Sequence, residues 1–401
     1  MPDTVPLDDA APEHGGKAAA LGALRRAGLP VPDGFVVPAA VPGPGLAGAV
    51  AAGLGRLGTP GPVAVRSSAT DEDGARASAA GQYDTVLGAA GTDRVVAAVA
   101  TCRASAAGPR ATAYRAATSG TGRHDRPVDV AVVVQRLVDG RAAGVLFTGP
   151  PAGTARAVVE ASWGLGESVV QGAVDPDRWT VAGGRVVERR TGTKRTRVDR
   201  SSHGTTTRDV PAADRGRRCL DDDTVLRLAD LGQRVAEVRG GPQDVEWAVD
   251  DAGTLWLLQA RPVTATLPAS PADRCEHDFG DCSASNSPRN RAHNDGGVLR
   301  GTGASGGRAS GPARVVRGPD DFADVLPGDV LVCRETDPAW TPLFGVVAAV
   351  VTETGGLLSH AAIVARELRL PAVLGVPAAT AALRDAGTVT VDGDAGTVVT
   401  A

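Results

Sequence analysis

The sequence predicts a mixed fold, α+β or α/β in class, of two domains joined by a long flexible linker. Three observations predict it. Val-rich strand-like runs and Ala/Leu-rich helix-like runs are interleaved along the chain rather than segregated. Between residues 264 and 297 apolar periodicity vanishes, and Pro, Ser, Asp, Asn, Arg and Cys dominate. From residue 298 an ordered pattern resumes to residue 401, enough for a compact β/α domain. The expected division is therefore 1–263, a linker 264–297, and 298–401. A flexible linker of about 35 residues has a root-mean-square reach of roughly 30–35 Å, which would let one domain swing against the other.

Each element follows from its residues. Gly15-Gly16 open a helix from Lys17 to Ala27, which Gly28 and Pro30 stop. Val31 to Val37 reads as a turn and short strand, and the Ala/Gly/Leu-rich 41–58 as a helix. Val63 to Val65 is a short buried strand, after which Arg66 leaves it into a polar loop; residues 74–84 are small and polar. Arg94 to Ala117 reads as helix. Val128 to Val138 and Gly144 to Thr148 flank Asp139-Gly140, the signal of a hairpin. Val158 to Ala161, Trp179 to Val181 and Arg185 to Glu188 are further strands. Thr224 to Arg239 is an amphipathic helix, with Leu226, Leu228, Leu231, Val235 and Val238 on one face. Asp244 to Val249 and Thr254 to Gln259 form a second hairpin.

Composition narrows the function. Apolar content of 42% and charged content of 22% are those of a soluble globular chain. A net charge of −4 with no dense basic block gives no reason to expect nucleic acid. No stretch approaches the roughly 20 apolar residues that span a bilayer. The acidic N-terminus lacks the apolar core of a signal peptide, so the expected compartment is the cytosol. Five scattered cysteines suggest no disulfide framework. Cys275, His277, Cys282 and His293 cluster in the linker, at a spacing that fits no common structural zinc pattern. Lysine occurs only at Lys17 and Lys194, which marks both.

Four groups of residues suggest chemistry. Lys17, just after paired glycines, can reach phosphate oxygens while the backbone comes close; a plain surface lysine is the alternative. No P-loop is present, since Ala18 stands where Ser or Thr is required. Arg66 could clamp a phosphate with its fork, or pair with Asp71 or Asp73. On paired strands Asp244 and Glu246 share a face, as do Gln259 and Arg261, because side chains alternate. Together they offer oxygen ligands for Mg²⁺ and a cation for phosphates. Last, Gly355-Gly356 permit a tight turn before Ser359, a candidate N-cap, and the helix former Ala361 to Leu368. His360 then sits in the first turn of a helix, where a group that gains negative charge is favoured. Gly301-Thr-Gly-Ala-Ser-Gly306 matches Gly-x-Gly-x-x-Gly, but neither an apolar strand before it nor a helix after it makes it a dinucleotide site.

Thr352 to Leu368 resembles, nearly residue for residue, the phosphohistidine motif of the phosphoenolpyruvate synthase and pyruvate phosphate dikinase family. Leu326 to Val332, Thr336 to Pro342 and Val391 to Gly393 resemble parts of the same swivelling domain. Residues 14–39, Val65 to Asp73, Ser78 to Thr85, Ser162 to Glu167 and the pair Gln243 to Trp247 with Leu258 to Pro262 resemble that family's ATP-grasp domain. The resemblance covers roughly 14–263 and 298–400. It implies an ATP-dependent dikinase, in which Lys17, Arg66 and Arg261 contact the phosphates, Gly81 belongs to a lid, Gln135 and Val138 meet the adenine, and Glu246 and Gln259 hold Mg²⁺. His360 would take the phosphoryl group, with release of AMP, and pass it to a small-molecule acceptor such as pyruvate or a hydroxyl compound. The sequence shows no acceptor domain like those of the family's larger members, so either a separate partner subunit carries one or a small acceptor binds in the cleft between the two domains. Direct transfer of the γ-phosphate to a small molecule and a non-catalytic ATP-binding module are the alternatives.

Overall fold

A computed structural model of the chain describes residues 4–58, 61–70, 83–108, 130–149, 156–202, 204–264 and 297–400. The expected linker, the zinc-like residues in it and the loop bearing Gly81 lie outside these. The chain divides into two compact units, Met1–Thr264 with Asp337–Pro342, and Ala265–Thr336 with Leu343–Ala401.

The first unit contains two mixed α/β layers. A five-stranded sheet has the order β1-β2-β5-β3-β4, from Val5–Pro6, Gly34–Val37, Val63–Ala69, Thr85–Ala89 and Val130–Arg136 for β1 to β5. Alternation along β3 and β5 decides its two faces. Val63, Val65, Val132 and Val134 pack with Phe35 against helices Gly43–Leu57 and Thr92–Ser105. Gly53 lets that packing close, since a Cβ there would lie 2.6 Å from the Phe35 ring. Ala64, Arg66 and Ser68 take the opposite face.

A six-stranded sheet has the order β13-β12-β6-β7-β8-β9. Its strands are Gly140–Phe147 (β6), Ala157–Trp163 (β7), Asp177–Ala182 (β8), Arg185–Arg190 (β9), Gln243–Asp250 (β12) and Leu255–Pro262 (β13). One face carries Leu146, Val159, Trp179, Val181, Val245, Trp247 and Val249 against helices Asp222–Arg239 and Gly16–Arg26. Trp179 and Trp247 are fully buried there; large side chains of this kind contribute about 1.5–3 kcal/mol or more each. Asp221 caps Asp222–Arg239, its carboxylate accepting from Thr224 N at 2.8 Å.

Two expectations are corrected. β5 and β6 do not form a hairpin: β5 pairs with β2 and β3, β6 with β7 and β12. Residues 137–139 are the crossover between the two sheets. β3 does not end at Val65 but runs to Ala69, so Arg66 is a mid-strand residue opposite Val133 and Thr85. An antiparallel hairpin, Thr196–Ser201 (β10) with Gly204–Asp209 (β11), was not foreseen. It approaches β4 so closely that a Cβ on Gly88 would lie 2.7 Å from Gly204 O.

The second unit is built on one eight-stranded sheet, order β14-β21-β20-β16-β17-β18-β19-β15. The strands are Val298–Arg300, Thr302–Ser305, Arg308–Val315, Val330–Cys333, Ala349–Thr352, Ala372–Leu374, Thr388–Asp392 and Thr397–Thr400, β14 to β21 in chain order. β16 to β19 are parallel neighbours, and β17 to β19 read as short, fully buried apolar runs. The Gly301 to Gly306 segment is strand β15 and its flanks, as a chain entry rather than a nucleotide loop; a Cβ on Gly303 would meet Gly393 O at 2.1 Å.

Candidate active site

The polar face of the six-stranded sheet assembles the first constellation. β12 and β13 pair so that Asp244 lies opposite Arg261 and Glu246 opposite Gln259. Alternation therefore puts all four on one face, with Val245 and Trp247 in the core behind them. Arg261 donates to Asp244 Oδ2 from Nε and from Nη2, each at 2.7 Å. Both residues are buried.

Arg66 reaches the same face from β3 of the other sheet. Its Nη1 donates to Glu246 Oε2 and to Gln259 Oε1, both at 3.0 Å. Burial pushes the Glu246 carboxyl up, but the charges of Arg66 and Arg261, with the Arg66 hydrogen bond and Lys17, hold it below the ordinary carboxylate value. Glu167, in the short helix Glu167–Val170, is shifted the other way: burial raises it, and Arg66 only partly opposes this.

The glycines before Lys17 have a local reason. Gly15 adopts φ 88°, and a Cβ there would lie 2.2 Å from Ser68 O. Ser68 Oγ accepts from Ala18 N at 3.0 Å and donates to His14 O at 2.8 Å. The first turn of helix Gly16–Arg26 is thereby latched to β3. Lys17, buried in that turn, falls within electrostatic range of Glu246.

Gln135 shares the Arg66 face, because Arg66 pairs with Val133 and Gln135 is two residues on. It is buried, and its Nε2 donates to Pro32 O at 3.3 Å. Val138 is half-buried in the crossover. Six expected residues thus converge, namely Lys17, Arg66, Asp244, Glu246, Gln259 and Arg261. Gln135 and Val138 lie further along β5 and beyond its end.

Sequence reasoning missed Glu167, Ser68 and Glu160. Glu160 lies in a cross-sheet row that runs Gln259, Glu246, Val145, Glu160, Arg178, Arg190, so it shares the site face although only 1% exposed. The signal for Glu167 and Ser68 was the blocks that hold them, Ser162 to Glu167 and Val65 to Asp73; Glu160 gave none.

The donor set fits Mg²⁺. Two oxygens from neighbouring strands, one carboxylate and one amide, converge on a single position, marked by a cationic nitrogen that touches both. Mg²⁺ takes few protein oxygens and completes its shell with phosphate and water.

The second unit places His360 at the first position of helix His360–Glu367, after Ser359 in extended N-cap conformation. The cap differs in one respect from expectation: Ser359 Oγ does not cap the helix but donates back to Gly356 O at 2.9 Å. This tightens the turn that Gly355 opens at φ 109°. Arg366 Nη1 braces the same turn through Leu357 O at 2.8 Å and Ala304 O at 3.0 Å. The N–H groups of Ala361 and Ala362 belong to the first turn, where a helix supplies no acceptor of its own. His360 is 3% exposed.

Two family descriptions match the chain. Residues 46–278 match the pyruvate phosphate dikinase AMP/ATP-binding domain, and 325–396 match the mobile domain of PEP-utilising enzymes. A probable phosphoenolpyruvate synthase of Archaeoglobus fulgidus is 35% identical over 96% of this chain and 56% of its own length. The phosphoenolpyruvate synthase of Pyrococcus furiosus is 38% identical over 84% and 40% respectively. A rifampicin phosphotransferase of a Streptomyces species is 43% identical over 57% and 26%. The chain spans about half the length of the curated relatives it matches. Among the described residues no helix is long and apolar enough to cross a membrane. With its AMP/ATP-binding and PEP-utilising mobile regions in the order its motifs announce, the chain belongs to the pyruvate phosphate dikinase and phosphoenolpyruvate synthase family.

Proposed function

We propose that the chain carries out the nucleotide half of a dikinase-type phosphotransfer, from ATP to His360 and onward to a small-molecule acceptor. The first unit is read as an ATP-grasp domain and the second as a swivelling phosphohistidine domain, with the intervening residues as tether. The observation that carries this reading is the convergence of Lys17, Arg66 and Arg261 on the Glu246–Gln259 pair.

In this reading Lys17, Arg66 and Arg261 bind the triphosphate, with Gly81 in the lid and Gln135 and Val138 at the adenine. Glu246 and Gln259 hold Mg²⁺, with Asp244 keeping Arg261 in place. The metal, when bound, neutralises charge on the phosphate oxygens. His360, neutral, gives a ring nitrogen lone pair to the β-phosphorus; an N–P bond forms, the bond from the β-phosphorus to the α-bridging oxygen breaks, and AMP leaves. Hydrolysis removes the γ-phosphate as inorganic phosphate. The phosphohistidine then gives its phosphoryl group to an oxygen of the acceptor. Positioning and charge stabilisation supply most of the rate. Travel of His360 between two places makes a conformational step part of each turnover. Relatives named phosphoenolpyruvate synthase and rifampicin phosphotransferase support pyruvate or a hydroxyl-bearing compound as acceptor class.

The test is incubation with β-labelled or γ-labelled ATP and mass analysis of the peptide that carries His360. The expected result is label from the β position, release of AMP, and no labelled peptide in His360→Ala. Production of ADP with an unlabelled peptide would refute the reading.

A further inference from the structure

We propose that Arg66 acts as a placeholder cation: its guanidinium occupies the divalent-metal position between Glu246 and Gln259 and yields it only when phosphate oxygens draw it away. The inference rests on the nucleotide reading above and adds an order to it. Metal is refused on its own and admitted with nucleotide.

Geometry is the main support. A single nitrogen, Arg66 Nη1, lies 3.0 Å from Glu246 Oε2 and 3.0 Å from Gln259 Oε1. A metal at about 2.0–2.1 Å from each oxygen needs the same space, so guanidinium and Mg²⁺ exclude one another there. The remaining donors point the same way. Arg66 Nε is shut off from solvent and meets no acceptor among the described residues. Its present pose therefore leaves a strong donor unused, at a cost that a phosphate oxygen would remove.

Charge adds a second reason. Glu246 feels Arg66, Arg261 and Lys17 together. Among the nearby carboxylates, Asp244 is taken by Arg261, and Glu167, which also feels Arg66, is raised by burial. A lone divalent cation thus meets three cations around its position, whereas a triphosphate brings the negative charge that offsets them. Arg66 itself stands on a strand paired on both sides, β3 between β5 and β4, so exchange requires movement of its side chain and not of its backbone.

The experiment is Mn²⁺ titration by electron paramagnetic resonance on the full chain, with and without α,β-methylene ATP. The wild type should bind Mn²⁺ at least about tenfold more tightly with the analogue than without, within the usual range of coupling between sites. Arg66→Met should bind Mn²⁺ without nucleotide about tenfold more tightly than wild type and lose most of the coupling. Arg66→Lys, which has a single-headed and shorter-reaching cation, should fall between and decides the matter if the Met variant fails to fold by circular dichroism. Unchanged or weaker nucleotide-free Mn²⁺ binding in these variants, with the analogue still bound, overturns the placeholder and leaves the nucleotide reading standing. Failure of the wild type to bind the analogue at all overturns both.

Discussion

Lys194, one of only two lysines, is fully buried, and Lys194→Met should be among the most damaging single substitutions outside the Arg66–Glu246–Gln259 group. Its Nζ donates to Asp177 Oδ1 at 2.5 Å and to Gly192 O at 2.9 Å, and both side chains of the ion pair are 0% exposed. Asp177 also accepts from Gly192 N and Cys219 N, each at 2.8 Å. Its proximity, after burial itself, pushes the Cys219 thiol well above its ordinary value. Removal of the ammonium strands a carboxylate that keeps two amide donors but loses its counter-charge. Breaking a buried pair this way costs about 3–5 kcal/mol; the surviving amides place the expectation near the lower end, about 3 kcal/mol. Replacing both partners, as in Lys194→Met with Asp177→Leu, removes the stranded charge, so the double variant should lose less than the sum of the two singles. Urea unfolding followed by fluorescence of the buried Trp179 and Trp247 measures each corner of this cycle. A single-variant cost below about 1 kcal/mol, or strict additivity in the double variant, would refute the reasoning.

Three further outcomes are expected. Asp221→Ala should cost about 1 kcal/mol by removing the helix cap on Thr224 N, read as a lower urea midpoint. Gly144→Ala should destabilise the six-stranded sheet strongly, because its Cβ would lie 1.9 Å from Glu160 O, a backbone atom that cannot give way; thermal unfolding reports it. The two site carboxylates have opposite pH signs. Glu246 is depressed below its ordinary 4.5, so its contribution is present above about pH 4.5 and is lost as pH falls through the lower folded value. Glu167 is raised above 4.5, so its ionisation opposes folding at neutral pH, and the folded state gains as pH falls through the raised value. Glu167→Gln should therefore raise the urea midpoint at pH 7 and Glu246→Gln should lower it; the reverse pattern would contradict the charge arrangement around Arg66.

Much of the site was legible because it obeys a period of two. Asp244 with Glu246 and Gln259 with Arg261 needed only alternation and one correct hairpin to meet, and the register supplied it. The run after Val65 looked like a loop because Ser67 and Ser68 are polar. They continue the strand because their hydroxyls find acceptors, Ser67 at Asp84 O and Ser68 at His14 O. Asp139-Gly140 with flanking β-branched runs satisfies every local condition for a hairpin. Its failure is non-local, since the partners of β5 are strands near Val36 and Val65, far earlier in the chain. The β10–β11 hairpin escaped notice because its Thr- and Arg-rich strands are mostly half-buried or exposed and carry no apolar alternation. Rarity flagged Lys194, but its partner Asp177 is 17 positions away and nothing in the string joins them.

That unforeseen hairpin also decides what two distant places in the chain can tolerate. Gly204 of β11 abuts Gly88 on the edge strand β4, while Leu165 N, just past the end of β7, donates to Val198 O of β10 at 2.7 Å. The hairpin is thus a strut with one foot on each sheet. Bulk introduced at Gly88 would push one foot off the edge strand and leave the other standing.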